Sequence, residues 1–303
     1  MSNNSSPSAD NNLHGILLML AGVFVLAIMD VIAKLLVEAD YSPFQILAFR
    51  GWIISSCLIG WIAFRGQLRA LKTTRSRDHV LRAGIGFCMP YLFFTALGTM
   101  PIADAVVIFF MAPVIMTILS IPLLKEIVGT QRWAAIAVGF IGVIIVIQPS
   151  GGAFQVGTIY ALGACVAYSL LGIMDRWMGE TEPPIRLVFY FSLGNAVIGT
   201  CALPFVWKPM PMMDVLIILG MAAVAMFAHI LITSAYIKAP ISVIAPFEYS
   251  ALIWSTMFGL LIWSDFPARH VWFGAAIIVI SGIYMVHREH VNNKNITKEA
   301  REI

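Results

Sequence analysis

Ten apolar runs follow one another along this chain of 303 residues, and each is long enough to cross a lipid bilayer. A spanning helix needs about 20 predominantly apolar residues. Short connections separate the runs, so no soluble domain is left to carry separate chemistry. The sequence therefore predicts an all-α integral membrane protein with ten transmembrane helices. The runs cover residues 13–37, 44–64, 80–99, 101–124, 130–148, 156–178, 184–206, 213–237, 240–262 and 268–287.

The composition also indicates a membrane protein, because 60% of the residues are hydrophobic and only 12% are charged. A soluble domain carries about 25% charged residues. The net charge of +3 gives no indication of a nucleic-acid partner. The cysteines lie far apart in apolar runs, whereas metal-binding motifs use close spacings such as C-x-x-C. We therefore expect no metal and no cofactor. The cysteines are Cys57, Cys88, Cys165 and Cys201.

The distribution of Lys and Arg predicts the orientation in the membrane. Residues 1–12 contain neither, so they lack the basic segment of a cleaved signal peptide, and the first run is expected to stay as a helix. If the N-terminus is cytoplasmic, nearly all basic residues of the connections fall on the cytoplasmic side. Only Lys208 and Arg269 fall outside. The positive-inside rule then places both termini in the cytoplasm and the protein in the inner (plasma) membrane.

Two segments of the chain align with each other without a gap, Pro101–Glu126 and Pro240–Asp265. Both begin with Pro-Ile and end on an acidic residue, and the same register superposes Trp133 on Trp272. The alignment predicts two related halves of five helices each. An odd number of helices per half inverts the second half relative to the first. Many secondary transporters are built from inverted repeats of this kind and bind substrate at the interface of the halves. The predicted organisation is a polar N-terminus (1–12), two repeats (13–148 and 156–287) and a polar tail (288–303).

A longer stretch, FFTALGTMPIADAVVIFFMAPVIMTILSIPLLKEIVGTQRWAAIAVGFIGVIIVIQPS, resembles the EamA-type members of the drug/metabolite transporter (DMT) superfamily. Arg50 also stands at a position where the resemblance implies a recurrent residue. In the first half the pattern consists of Ala96-Leu97, Met100-Pro101, Ala103, Pro113, Glu126, Gly139, Gly142 and Pro149. In the second half it consists of Ala235-Tyr236, Pro240, Ala245-Pro246, Tyr249, Trp254, Gly259 and Gly282.

The resemblance implies a secondary transporter that works by alternating access around a central cavity. Similar members move amino acids, riboflavin, S-adenosylmethionine, nucleosides or metallophores. We expect a small polar or zwitterionic metabolite, with export favoured, and with the lipid bilayer as the other partner of a monomer or homodimer. The alternative is an importer of a vitamin or cofactor such as riboflavin or S-adenosylmethionine. A lipid flippase or non-transporting subunit is a minor alternative. An enzyme is disfavoured, since the sequence shows no paired carboxylates or H-x-x-x-H motif and we predict no catalytic residues.

Ionisable residues inside the predicted helices are the first candidates for substrate binding, because a charge within the membrane is costly. Arg50 lies roughly 10 Å into helix 2 by helical rise, at a depth similar to Asp30 and Lys34 in helix 1. Asp30 and Lys34 are four residues apart and can pair. In the functional interpretation, Arg50 binds a carboxylate and Asp30 an ammonium group. In the structural one, an ion-pair network holds helices 1 and 2 together, and Lys34 reaches outward.

Glu248 in helix 9 and His229 in helix 8 are the candidates on the cytoplasmic side. Glu248 lies roughly 12 Å into its helix by helical rise, where desolvation favours the neutral carboxyl that a proton-coupled carrier could use. His229 titrates near neutrality and could be its partner. The alternative is a structural hydrogen bond between the two helices.

Uncharged candidates complete the predicted substrate site. A buried amide such as Asn195 seeks a partner, either in the substrate or in a neighbouring helix. Aromatic side chains could line the cavity or only pack between helices. Prolines 90, 113 and 246 are expected to interrupt helices 3, 4 and 9 and to free backbone carbonyls. The aromatic candidates are Tyr91, Phe94, Phe110, Tyr249 and Trp254.

Overall fold

The computed structural model describes residues 9–112, 115, 118–119, 130–147, 156–179, 181–238, 245–281 and 283–284. All regular secondary structure in these ranges is helical, which confirms the predicted all-α class. Six of the described helices are long and apolar enough to cross a membrane.

Each helix overlaps one of the predicted apolar runs. Two of them, α2 and α7, have a proline in the first turn, where its fixed φ and missing N–H suit a helix start. A short 3-10 turn, Leu68–Leu71, lies between α2 and α3. In chain order the helices are α1 (Ala9–Glu38), α2 (Pro43–Phe64), α3 (Ser76–Leu97), α4 (Ile102–Phe109), α5 (Thr130–Ile147), α6 (Val156–Gly179), α7 (Pro184–Val206), α8 (Met212–Lys238), α9 (Ala251–Phe258) and α10 (Arg269–Ser281).

The ninth apolar run is not one uniform helix. Its described part starts with a 3-10 turn at Ala245–Ser250, which contains the predicted break at Pro246, and ends in a π-helical turn at Gly259–Trp263. By contrast, α3 continues through Pro90, so the interruption predicted there is wrong. Neighbouring helices can hold a transmembrane helix together where a proline removes one hydrogen bond. Pro113 lies outside the described residues.

The helices pack mainly in pairs that join the first part of the chain (α1–α5) to the second (α6–α10). The most extensive contacts lie between α1 and α8, between α2 and α7, and between α3 and α6. Further contacts join α2 to α8, α3 to α7, α4 to α6, and α1 to α9. Each helix can be exchanged for the one five places along the chain, with counting restarted at α1 after α10. The contact α1–α8 then becomes α6–α3, α2–α8 becomes α7–α3, and α4–α6 becomes α9–α1. Two inverted five-helix halves would produce this exchange, which supports the repeat; the repeat itself stays a prediction.

The helices α2 and α7 cross with their backbones in close approach. A Cβ atom on Gly51 would lie 2.5 Å from the backbone nitrogen of Ala196 and 2.6 Å from the carbonyl oxygen of Ser192. Further along, a Cβ on Gly199 would lie 2.7 Å from the carbonyl oxygen of Phe44. Only glycine permits such contacts at these points. The crossing therefore fixes the position of Arg50, the residue before Gly51.

The described connections between helices lie at two opposite ends of the bundle, where hydrogen bonds link them to one another. The end that holds the connections after α1, α3, α7 and α9 is called the α1–α2 face. There, Tyr41 donates to the Asp214 carboxylate, and the Gln45 amide donates to the carbonyl oxygen of Lys208 at 2.7 Å. The opposite end, with the connections after α2 and α6, is called the α2–α3 face. This alternation agrees with the predicted loop assignment, while the choice of the cytoplasmic face stays a prediction.

Candidate functional site

Arg50 is a buried cation in the interior of the bundle, with only 3% of its surface exposed. Its guanidinium lies over the ring of Phe94, 5.6 Å from the centroid, and Nη1 donates to the Met29 sulfur at 3.4 Å. Phe94 is itself buried. A cation–π contact and a weak sulfur acceptor replace little of the hydration that the cation loses. Arg50 is therefore suited to bind an anionic group.

Asp30, on α1, is half-buried and interacts electrostatically with Arg50. Among the described residues, no ion pair within 4.0 Å joins the two side chains, so their opposite charges attract across a gap. A molecule with both a carboxylate and a cationic group could bind both residues at once. The predicted cluster of Arg50, Asp30 and Phe94 thus comes together, and whether it binds substrate stays a prediction.

His229 lies on α8, and Asn195 lies on α7 beside Ala196, the residue that meets Gly51. His229 is half-buried, packs edge-on against Phe191 with 6.3 Å between ring centroids, and lies within electrostatic range of Arg50. Asn195 is 1% exposed, and its Oδ1 accepts no hydrogen bond from the described part of the chain. The predicted partnership of His229 with Glu248 stays a prediction.

The remaining acidic candidate belongs to the 3-10 turn before α9. Glu248 is half-buried and interacts electrostatically with its neighbour Tyr249. The Tyr249 ring packs edge-on against Phe110 at a centroid distance of 5.0 Å. This contact connects the start of the ninth run with the end of α4.

Trp254 on α9 packs against Phe24 on α1, and these two rings are called the aromatic surface of α9. The Trp254 ring packs edge-on against Phe24 at 4.9 Å between centroids. Its indole Nε1 is buried and donates to no acceptor in the described ranges. A buried donor without an acceptor is costly, so an acceptor on a bound molecule would be favourable here. Sequence reasoning missed Phe24 and Met29, because apolar residues of a spanning helix carry no signal that separates cavity from lipid.

Tyr91 lies apart from the charged cluster. It belongs to an aromatic group with Phe44 and Phe87, at centroid distances of 4.5 Å and 5.8 Å. Those contacts join the start of α2 to α3. The observed role of Tyr91 is helix packing, and no described contact connects it with Arg50.

Lys34 does not pair with Asp30, so that sequence prediction is wrong. Its Nζ instead donates to the carbonyl oxygen of Met100 at 3.1 Å and lies 3.8 Å from Glu38 Oε1. The ammonium also lies over the Trp263 ring, 4.7 Å from the centroid. Lys34 therefore extends toward the α1–α2 face, as a lysine that reaches for the membrane boundary does. It ties α1 to the α3–α4 turn and to the end of the ninth run.

A cavity of about 170 Å³ opens beside this tie on the α1–α2 face. Its lining includes Pro101, Asp104 and Asp265. The charges of both acids interact with Lys34. None of the predicted substrate residues lines this cavity, so it is a feature of the face and not of the charged cluster.

Comparison with known proteins shows which proteins this chain resembles. Residues 13–148 match the EamA-like transporter family model. One solved crystal structure superposes with a TM-score of 0.60 over 90% of this chain and 96% of that one, at 16% identity. That likeness shows a shared fold alone.

Named relatives match over nearly their whole length. The S-adenosylmethionine uptake transporter of Rickettsia prowazekii is 25% identical, over 91% of this chain and 94% of its own. The riboflavin transporter of Vibrio cholerae is 27% identical over the same shares. The riboflavin transporter of Brucella anthropi is 24% identical, over 82% of this chain and 89% of its own. By these matches residues 13–148 resemble the EamA-like transporter family, and the chain as a whole is similar to proteins named as transporters of small metabolites.

Proposed function

We propose that this protein imports a cofactor-sized zwitterion, of the chemical class of S-adenosylmethionine, across the inner membrane by alternating access. Relatives whose names give a direction are named uptake transporters, which supports import over the export that the sequence favoured. The single observation that carries the substrate class is the separated pair of opposite charges inside the bundle, buried Arg50 and half-buried Asp30.

The charge arrangement favours a zwitterion over a neutral substrate. Two opposite charges that lie in the interior of the bundle without direct contact are each incompletely compensated. A substrate carboxylate can form two parallel hydrogen bonds with the Arg50 guanidinium, and a substrate ammonium can donate to Asp30. The α-amino and carboxylate groups of S-adenosylmethionine supply both partners, whereas riboflavin carries neither charge at neutral pH.

The aromatic surface of α9 can hold the ring system of such a substrate. Trp254 and Phe24 meet edge-on, and the Trp254 indole N–H has no described acceptor. A flat heterocycle can stack on an aromatic face, and one of its ring nitrogens can accept the indole hydrogen bond. Binding would then need the charged cluster and the aromatic surface together.

Transport of labelled S-adenosylmethionine and riboflavin into proteoliposomes tests the substrate class. Each charge-assisted hydrogen bond contributes about 1.5–3 kcal/mol, so Arg50→Gln or Asp30→Asn should raise the half-saturation concentration for S-adenosylmethionine about 10- to 100-fold. Asp40→Asn is the matched control, because Asp40 is an exposed turn residue on the α1–α2 face. Wild-type protein that transports riboflavin but not S-adenosylmethionine would contradict the zwitterion proposal. So would Arg50→Gln protein with wild-type kinetics.

Proton coupling is a separate part of the proposal and rests on Glu248 and His229. If Glu248 carries the coupled proton, Glu248→Gln should abolish the stimulation of uptake by an inward proton gradient while exchange between two substrate pools continues. His229→Gln should weaken the same stimulation. If the proton gradient does not change the rate of uptake by the wild type, the coupling role is ruled out, but the proposal on the substrate is unaffected.

A further inference from the structure

We propose that the connection between α2 and α3 is a binding surface for the headgroups of anionic phospholipids. This connection, together with the last residue of α2 and the first turn of α3 (residues 64–79), is called the basic loop. Its sequence FRGQLRALKTTRSRDH holds five Lys and Arg residues and one acid, Asp78. Clusters of four to eight basic residues next to a transmembrane helix attract anionic headgroups. The surface is independent of the charged cluster around Arg50 and of the transported substrate.

Most of the cations of the basic loop face outward. Arg65, Arg69, Lys72 and Arg77 are all exposed. Arg75 is half-buried and forms an ion pair with Asp78, 2.7 Å from Nε to Oδ2. The loop acid thus neutralises the cation that is least exposed. Four outward cations are left at the membrane boundary.

Contacts with α7 hold the middle of the basic loop in place. The Arg186 guanidinium donates through Nε to the carbonyl oxygen of Ala70 at 2.7 Å, and the Tyr190 hydroxyl donates to the carbonyl oxygen of Leu71 at 3.0 Å. Both acceptors belong to the 3-10 turn Leu68–Leu71. The turn between the exposed cations is therefore fixed before any lipid binds, which lowers the entropy lost on binding.

A second set of contacts anchors the end of the basic loop to the α6–α7 connection. Thr73 donates to Glu182 Oε1 at 2.6 Å, and Arg186 donates to Glu182 Oε2 at the same distance. Arg75 donates to the Thr181 hydroxyl at 3.1 Å. The basic residues used for anchoring are thus Arg75 and Arg186. The exposed cations can be changed without removing an anchor.

Two aromatic rings carry cations of this surface. The Arg65 guanidinium lies 4.4 Å from the centre of the Trp61 ring, and the Arg75 guanidinium lies 4.1 Å from the centre of the Trp177 ring. Both tryptophans are about half exposed, at 46% and 50%. Tryptophan with a cation is typical of the level where headgroups meet acyl chains. These pairs place positive charge at the depth of lipid phosphates.

Exposed apolar side chains beside the cations distinguish a lipid from a soluble anion. Phe64 is 93% exposed and Leu68 is 54% exposed, on either side of Arg65. Val80, just after the loop, is 73% exposed. A soluble phosphate or nucleotide would leave these side chains in water, whereas a phospholipid offers a phosphate to the cations and acyl chains to the apolar groups. The combination therefore fits a membrane lipid.

Lipid titration of the purified full chain in detergent tests the proposal. The probes are phosphatidylglycerol, phosphatidylcholine and inorganic phosphate, and binding is followed by native mass spectrometry and by the shift in melting temperature. The test variant is Arg65→Gln/Arg69→Gln/Lys72→Gln, and its charge-preserving control is Arg65→Lys/Arg69→Lys/Lys72→Arg. Arg269→Gln, which removes an exposed cation from the α1–α2 face, is the control for position.

We expect wild-type protein to bind phosphatidylglycerol more tightly than phosphatidylcholine, with a preference that weakens in high salt. The triple Gln variant should bind phosphatidylglycerol about a hundredfold more weakly, and both controls should keep the wild-type affinity. Equal affinity of the wild type for the two lipids would overturn the proposal, whatever the stability of the variant. So would retention of phosphatidylglycerol by the triple Gln variant, or displacement of the lipid by millimolar inorganic phosphate.

Discussion

The crossing of α2 and α7 makes Gly51→Ala a sharp test of the architecture that positions Arg50. The new methyl group would meet a backbone nitrogen at 2.5 Å and a carbonyl oxygen at 2.6 Å, and neither atom can rotate away as a side chain can. Ordinary van der Waals contact begins near 3.4 Å, so the helices must separate locally by about 0.9 Å, the difference between 3.4 and 2.5 Å. Overpacking of a tight interior costs about 1–3 kcal/mol.

Gly60→Ala on the same helix is the matched control, because a Cβ on Gly60 meets nothing within 4 Å. Both substitutions gain about the same helix propensity, roughly 1 kcal/mol, so the difference between the two variants isolates the steric cost. We expect Gly51→Ala to unfold at a lower temperature than Gly60→Ala and to lose S-adenosylmethionine affinity, since Arg50 moves with α2. Equal melting temperatures and equal transport would refute the assigned helix contact.

Two further predictions concern the two faces. Burial acts to raise the pKa of Glu182, but hydrogen bonds from Thr73 and Arg186 outweigh it and hold the pKa below its ordinary value of 4.5. The stability that ionised Glu182 contributes is therefore complete above pH 4.5 and is lost as the pH falls through its lower pKa in the folded state. The melting temperature of Glu182→Gln should accordingly depend less on pH below 4.5 than that of the wild type. On the α1–α2 face, Tyr41→Phe removes the hydrogen bond to Asp214 and should lower the free energy of unfolding by about 1.5–3 kcal/mol, measured by thermal or denaturant unfolding, whereas a loss of under 0.5 kcal/mol would contradict the contact.

Hydropathy predicted the helices well because the rise per residue of a helix relates the length of an apolar run to the thickness of the bilayer. For α7, the predicted run 184–206 coincides with Pro184–Val206. The run 13–37 missed the start of α1 at Ala9, because polar residues can extend a helix beyond the apolar region. The irregular ninth run was only partly foreseen. Pro246 marks its 3-10 turn, but nothing in the composition of Gly259–Trp263 indicates a π-helical turn.

The charged residues were easier to find in the sequence than their partners. Lys34 stands four residues after Asp30 and four before Glu38, so helical spacing alone could not decide which acid it meets. The structure selects Glu38 because the lysine reaches the carbonyl of Met100 at the end of α3. Arg50 could be predicted from the cost of a charge in the membrane. Its contacts with Met29 and Phe94 depend on helix rotation, which hydropathy does not report.

The predicted alignment of two halves implies an asymmetric site, since it superposes Phe109 on Glu248. Phe109 packs against Phe93 and Tyr168 at centroid distances of 5.2 Å and 5.0 Å, within a cluster formed by α3, α4 and α6. Its counterpart Glu248 is a half-buried acid at the start of the ninth run. If the halves exchange conformations during transport, an aromatic ring on one side corresponds to a carboxyl group on the other. The two states would then differ in electrostatics as well as in shape, and a zwitterion would meet Arg50 and Glu248 with unequal strength in each.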